Sequence, residues 1–404
     1  MRILMLINAF ERDGPGNLVY ALVSAMRMEP SVKIHVAALA RGGPMEEDYR
    51  RLQTPISNFE MSSWFDWKVV VRLKDWFREQ RFHVVHTHLL RPDLIGRVAA
   101  RLCGVPCLVS TEHGLHAWSE KGRLIEPFVA TLYRQTAEHC VDRIVAISEA
   151  VRRDLIESRI PGDKITVIQN GIDVSVFVPL SESRRRALRS LLCEDCDARR
   201  FVGFVGNFIE RKGAVYFLDA LPAVLARRPD VFPLLVGEGE QEEALRLRAR
   251  QLGIAGRVAF VGKLARKLPE LLASLDVLVV PSLDEPFGLI AAEAMACQTP
   301  VIAFNVGGLA EVVADGETGY LAPARSADGL ADALLRLLED DERRRAMGLA
   351  ARERVKAQFN IELTARRYLE LYRNILAAKG ISPDDLDGDA PGNCETNAQV
   401  QNLK

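Results

Sequence analysis

Short apolar runs recur along the chain, each followed by a longer stretch whose hydrophobic positions have helical spacing. In the first half they cover residues 3–7, 34–39, 84–86, 107–110, 144–147 and 165–168. In the second half they cover 201–205, 232–236, 258–261, 277–280 and 301–303. The runs are continuous rather than alternating, which suits strands buried on both faces of a parallel sheet. Strand–helix alternation repeated this often predicts an α/β protein of two doubly wound domains. The break is expected within 177–200, where Pro179, the basic run Arg184-Arg185-Arg186 and the polar stretch 194–200 interrupt the pattern. A helical pattern over 361–377 follows the second domain, and beyond Gly380 apolar residues almost vanish, which predicts a disordered tail. The resulting division is 1–180 for the first domain, with a helix near 361–378 packing back on it, 200–360 for the second, and 381–404 for the tail.

Composition narrows the class without naming it. The chain has 404 residues, too long for one compact core, with 48% hydrophobic and 26% charged residues, as soluble globular proteins have. Basic residues number 53 against 54 acidic, so the charge balance does not point to nucleic acid. The apolar start of the chain gives way to polar residues too soon for a secretory signal, and no run reaches the length of about 18 apolar residues that a membrane span needs. Seven scattered cysteines suit a reducing compartment, so the expected location is cytoplasmic.

Three loops carry candidate chemistry. The first, Asp13-Gly14-Pro15-Gly16-Asn17, lies between the first strand and its helix. Glycine there either lets backbone approach a phosphate or merely makes the turn; Val19 stands where a dinucleotide fingerprint has its third glycine. The second, Gly206-Asn207-Phe208-Ile209-Glu210-Arg211-Lys212-Gly213, sets two cations at a helix start, as a diphosphate site or a solvated basic turn would. The third follows the strand at 277–280: Glu285-Pro286-Phe287-Gly288-Leu289, with Glu293 farther along the next helix. Carboxylates accept paired hydrogen bonds from vicinal hydroxyls, so two of them can grip a ribose and a hexose.

The segment from Pro281 to Ala296, with Glu285 and Glu293 separated by seven residues, resembles the signature of the GT4 family of glycosyltransferases. The resemblance extends through Gly206 to Gly213, Asn170-Gly171-Ile172-Asp173, Val236-Gly237-Glu238-Gly239 and Gly307-Gly308…Glu311, and reaches about Tyr372. It implies the GT-B fold, two Rossmann-like domains facing across a cleft, and retaining transfer of a sugar from a nucleotide diphosphate without a metal or other cofactor. By the same resemblance Glu293 binds the donor ribose and Glu285 the transferred sugar. Lys212 holds the diphosphate, Gly16 approaches it from the opposite domain, and Phe287-Gly288-Leu289 lie along sugar and phosphate. His113, in Thr111-Glu112-His113-Gly114, matches the histidine that contacts the donor sugar near its reacting carbon. Asn207 replaces a common arginine, so either Arg211 supplies that charge or fewer cations hold the diphosphate, and Gln298 stands where the family commonly has glycine. Transfer would proceed by front-face attack of the acceptor, with Glu285 binding hydroxyls and not attacking.

Other features have plainer readings. Cys193 and Cys196 lack a second pair, and His86 and His88 lack an evident third ligand for a metal. Trp64, Phe65, Trp67, Trp76 and Phe77 form either an amphipathic membrane-facing helix, suited to a lipid-linked acceptor, or a helix packed on its sheet. The arginines of 184–189 and the carboxylates of 384–387 read as solvated. The alternatives to a transferase are a nucleotide-sugar epimerase or a phosphorylase of the same architecture, a dinucleotide oxidoreductase and an inactive sugar-binding module. Acceptor, donor base and sugar stay open among glycans, lipid-linked carriers, small molecules and proteins.

Overall fold

The computed structural model describes residues 1–61, 66–114, 126–192, 199–262 and 267–382. The first sheet has strands β1 (Arg2–Ile7), β2 (Lys33–Ala38), β3 (Ile56–Asn58), β4 (Val84–His88), β5 (Cys107–Glu112), β6 (Arg143–Ala146) and β7 (Ile165–Val167). The second has β8 (Arg200–Val205), β9 (Val231–Val236), β10 (Ala259–Val261), β11 (Val277–Val280), β12 (Val301–Phe304) and β13 (Gly319–Ala322). Strand order is β3-β2-β1-β4-β5-β6-β7 in one and β10-β9-β8-β11-β12-β13 in the other, and all the pairs are parallel. The continuous apolar runs are these strands, and β1, β4, β5, β11 and β12 are buried almost throughout.

Two strands escape the apolar pattern. β3 is a three-residue edge strand reading Ile-Ser-Asn, and β13 is an edge strand that opens on glycine. A Cβ at Gly319 would lie 1.9 Å from the Val301 carbonyl oxygen, so close strand approach, not hydrophobicity, defines β13.

The helix Ile361–Ala378 returns to the first sheet. Ile361, Ala365, Tyr368, Leu369, Tyr372 and Leu376 join the same core as Ile3, Met5 and Leu22. Tyr368 and Thr111 hydroxyls share a hydrogen bond of 2.9 Å, and Tyr372 bonds to His86 Nδ1 at 2.6 Å.

The basic run at 184–189 is not a solvated face. It lies on the helix Glu182–Arg189, and Arg185 and Arg189 both donate to Asp276, at 2.9 and 2.7 Å. Arg344 adds a third contact to that buried carboxylate at 2.9 Å. The interval between the sheets is thus pinned to the second sheet by charge, which a hydrophobic pattern does not reveal. Cys193 and Cys196, Trp64 and Phe65, the carboxylates at 384–387 and all but the first two residues of the expected tail lie outside the described residues. The aromatic stripe resolves into the helix Trp67–Gln80, on which Phe77 is buried and Trp76 packs on Phe59 and Phe82, while Trp67 is exposed. Among the described residues no helix is long and apolar enough to cross a membrane.

Candidate active site

Each sheet reverses its strand order once, between β1 and β4 and between β8 and β11. Open parallel sheets bind ligands outside the carboxyl ends of their strands at that reversal. Gly16 follows β1; Asn207, Arg211 and Lys212 follow β8; and 285–289 follow β11. His113 follows β5, one strand from β4.

On the second sheet the two central loops are tied together. Leu283 N donates to the Arg211 carbonyl at 2.8 Å. Gly213 turns with φ 65°, so close to the β11 loop that a Cβ would sit 2.0 Å from the Pro281 oxygen. This brings Lys212 Nζ to 2.6 Å from Glu285 Oε2, which also accepts from Ser282 Oγ at 3.1 Å. Arg211 is exposed and donates to the Asp284 carbonyl at 3.3 Å, while Asn207 is exposed. Glu293 is on the helix Leu289–Ala296, in surroundings whose desolvation pushes its carboxyl up to about 8. Phe287 is 1% exposed and packs edge-on against Phe359.

On the first sheet, Gly16 N donates to Asp13 Oδ1 at 2.7 Å, and a Cβ at Gly16 would fall 2.0 Å from the Glu11 oxygen. Closure of the loop on itself therefore demands that glycine, whatever the loop binds. Across the cleft, a Cβ at Gly14 would lie 3.7 Å from Leu289 Cδ1, so the loops after β1 and β11 meet.

His113 Nε2 and His88 Nδ1 share a hydrogen bond of 3.0 Å, and burial lowers His113 to about 4, which keeps its ring neutral at ordinary pH. Its neighbour Glu112 points into a buried polar cluster that the sequence reading missed. Tyr133 OH donates to Glu112 Oε2 at 3.0 Å, Arg97 donates to Tyr133 OH at 3.2 Å, and Arg97 pairs with Asp93 at 3.2 Å. Burial, reinforced by Asp93, raises Glu112 to about 8. The visible signal was Asp93 and Arg97 four apart on a helix otherwise facing the core. His86 is not a metal ligand: Thr111 Oγ1 at 2.7 Å and Tyr372 OH at 2.6 Å occupy its two nitrogens. Among the described residues no three His, Cys, Asp or Glu side chains are grouped to hold a metal ion.

A contact between the halves also escaped the sequence. Ser148 Oγ donates to the Pro286 carbonyl at 2.6 Å, next to Glu285. Glu311, from the second half, accepts from Glu149 N at 3.0 Å and Ala150 N at 2.9 Å, at the start of the helix Glu149–Glu157. A carboxylate there satisfies orphan amides and meets the positive end of the helix.

Two open parallel sheets with matched reversals, and loops that meet between them, define a two-domain α/β architecture of Rossmann-like halves. Residues 196–354 match the model for glycosyl transferases group 1, and residues 12–176 match that for glycosyltransferase family 4. The chain is 32% identical to alpha-maltose-1-phosphate synthase of Mycolicibacterium smegmatis over 73% of its own length and 79% of that protein. It is 30% identical to a D-inositol 3-phosphate glycosyltransferase of Thermobispora bispora over 89% and 85% of the two chains. HepE of Anabaena, solved with UDP, superposes with a TM-score of 0.81 at 22% identity over 92% of this chain and 99% of that one. The fold is GT-B, and the chain belongs to the group 1, family 4 glycosyltransferases.

Proposed function

We propose that this glycosyltransferase moves a hexose, with retention and without a metal ion, from a nucleotide diphosphate to a hydroxylated acceptor. The observation that carries the reading is the Lys212–Glu285 contact of 2.6 Å at the strand reversal, with Glu293 eight residues farther on. We assign residues 1–180 to the acceptor side and 200–360 to the donor side. Glu293 takes the ribose hydroxyls, Glu285 the hexose hydroxyls, and Lys212 with Arg211 the diphosphate. The backbone of 287–289 runs beside sugar and phosphate, Gly16 closes over them, and His113 meets the sugar near its reacting carbon. Asn207 is left without a phosphate role.

In the reaction the bond from the sugar's anomeric carbon to the diphosphate breaks and a bond to the acceptor oxygen forms on the same face. The acceptor's proton goes to the departing phosphate oxygen. Lys212 and the amino end of the Leu289–Ala296 helix stabilise the charge that gathers there, an electrostatic contribution. Closure of the halves excludes water and limits hydrolysis. With its ring lowered to about 4, His113 is a weak base, which suits hydrogen bonding to a sugar hydroxyl better than proton abstraction.

HepE has been solved with UDP and with UDP-glucose, which makes UDP-hexoses the first donors to try. A lipid-linked acceptor would require contact with a membrane surface, for which the exposed Trp67 beside Lys68 and Arg72 is the natural place. The test is proton NMR of UDP-, GDP-, ADP- and dTDP-hexoses with the protein in EDTA. Release of one nucleotide with its sugar supports the reading. A new epimer still attached to nucleotide replaces it with an epimerase, and activity only after metal is restored removes the metal-independent part.

A further inference from the structure

A cavity of about 40 Å³ opens at the carboxyl ends of β1 and β4, and Asn8, Glu11, Asp13, Gly16 and His88 are among its lining residues. Two buried polar atoms on it have no partner, Asn8 Oδ1 and His88 Nε2, and His88 is only 1% exposed. Each such atom costs on the order of 1–3 kcal/mol when left unpaired. The next residue, Leu89, also lines the cavity and holds φ 74° and ψ 158°, a region that strains any residue but glycine. Two unmet polar atoms and a strained backbone meet at one spot, where buried polar atoms ordinarily have a hydrogen-bond partner.

We propose that this cavity receives a hydroxyl of a neutral, polyhydroxylated acceptor, an inference that rests on the transferase reading above. A hydroxyl both donates and accepts. It donates to Asn8 Oδ1 and accepts from His88 Nε2–H. In that tautomer His88 Nδ1 is bare and accepts from His113 Nε2–H across the observed 3.0 Å. Every polar atom in the row is then satisfied, and the acceptor hydroxyl is linked through one imidazole to the residue assigned to the donor sugar. An anionic group fits poorly. No lysine or arginine lines the cavity, Glu11 and Asp13 would repel it, and burial holds His88 neutral. Ile7 and Val19 supply an apolar wall suited to the C–H face of a polyol.

The test is imidazole nitrogen NMR on the full chain, with the His88 signals identified by their loss in His88→Gln. Methyl α-D-glucoside, myo-inositol and inorganic phosphate are added at millimolar concentration. Both polyols should move the His88 Nε2 signal, which should carry the proton, while phosphate leaves it in place. Asn8→Ala should weaken the polyol response about tenfold, with no fall in melting temperature because it deletes an unmet acceptor. A shift with phosphate alone, no shift with any probe, or an Asn8→Ala variant that responds like the parent overturns the proposal. Nucleotide-sugar binding is followed in the same samples. Its absence would reject the transferase reading, while the polyol response would still report on the cavity.

Discussion

Lys212 and Glu285, assigned to opposite ends of the donor, hold each other at 2.6 Å. Neither side chain is well exposed, 20% for the lysine and 10% for the glutamate, so each stands in for a ligand group the other lacks. On the proposed assignment, donor binding divides this pair, handing Lys212 to the phosphates and Glu285 to the sugar.

Lys212→Ala should lower transfer at least about a hundredfold, the scale of losing one electrostatic stabiliser. It should also destabilise the fold by a few kcal/mol, because a largely buried carboxylate is left unpaired. The double variant Lys212→Ala, Glu285→Gln separates the two effects. Stability measured by denaturant should recover while activity does not; recovery of both would remove Lys212 from the chemistry.

Glu293 gives a proton signature. With its carboxyl pushed up to about 8, it is largely protonated at pH 7 before the donor arrives. Ribose hydroxyls that donate to the ionised form lower that value, so binding should release up to one proton and affinity should rise with pH through about 8. Calorimetry in buffers of different ionisation enthalpy measures the release, and Glu293→Gln should abolish it.

Glu112 makes a prediction about stability alone. Its value of about 8 lies above that of an unfolded glutamate, so the folded chain keeps a proton that the unfolded chain gives up. The direction follows: stability falls as pH rises from about 4.5 to about 8 and levels off above. Glu112→Gln should flatten that part of the melting-temperature profile.

Asp276 accepts from three arginines and from Phe201 N, all between 2.7 and 2.9 Å. Asp276→Asn should destabilise the chain by about 3–5 kcal/mol, since the cations lose their buried counter-charge. Denaturant unfolding would show this, and a change below about 0.5 kcal/mol would contradict it.

Gln298 adopts φ 63°, a left-handed conformation that glycine takes without strain. Gln298→Gly should raise stability by about 1 kcal/mol and leave transfer unchanged.

The large pattern was legible because buried parallel strands write themselves as unbroken apolar runs. β3 and β13 were not, being short edges set by pairing geometry. The Glu285–Glu293 spacing carried the family resemblance, yet it did not tell that Phe287 faces Phe359. Nor could it show Glu311 capping a helix 161 and 162 residues away in the chain. Asp276 and Glu112 were invisible for a shared reason. A lone acidic residue in an apolar stretch carries no periodic signal, and its meaning depends on arginines that only the fold brings near.

The helix Ile361–Ala378 has a consequence for how the molecule is made. Tyr372 completes the hydrogen bonding of His86, and residues from 361 to 376 close the core that holds β1. As the ribosome works from the amino end, the first sheet must wait, with part of its apolar face uncovered, until the second has been synthesised. The half that begins the chain is the last to be finished.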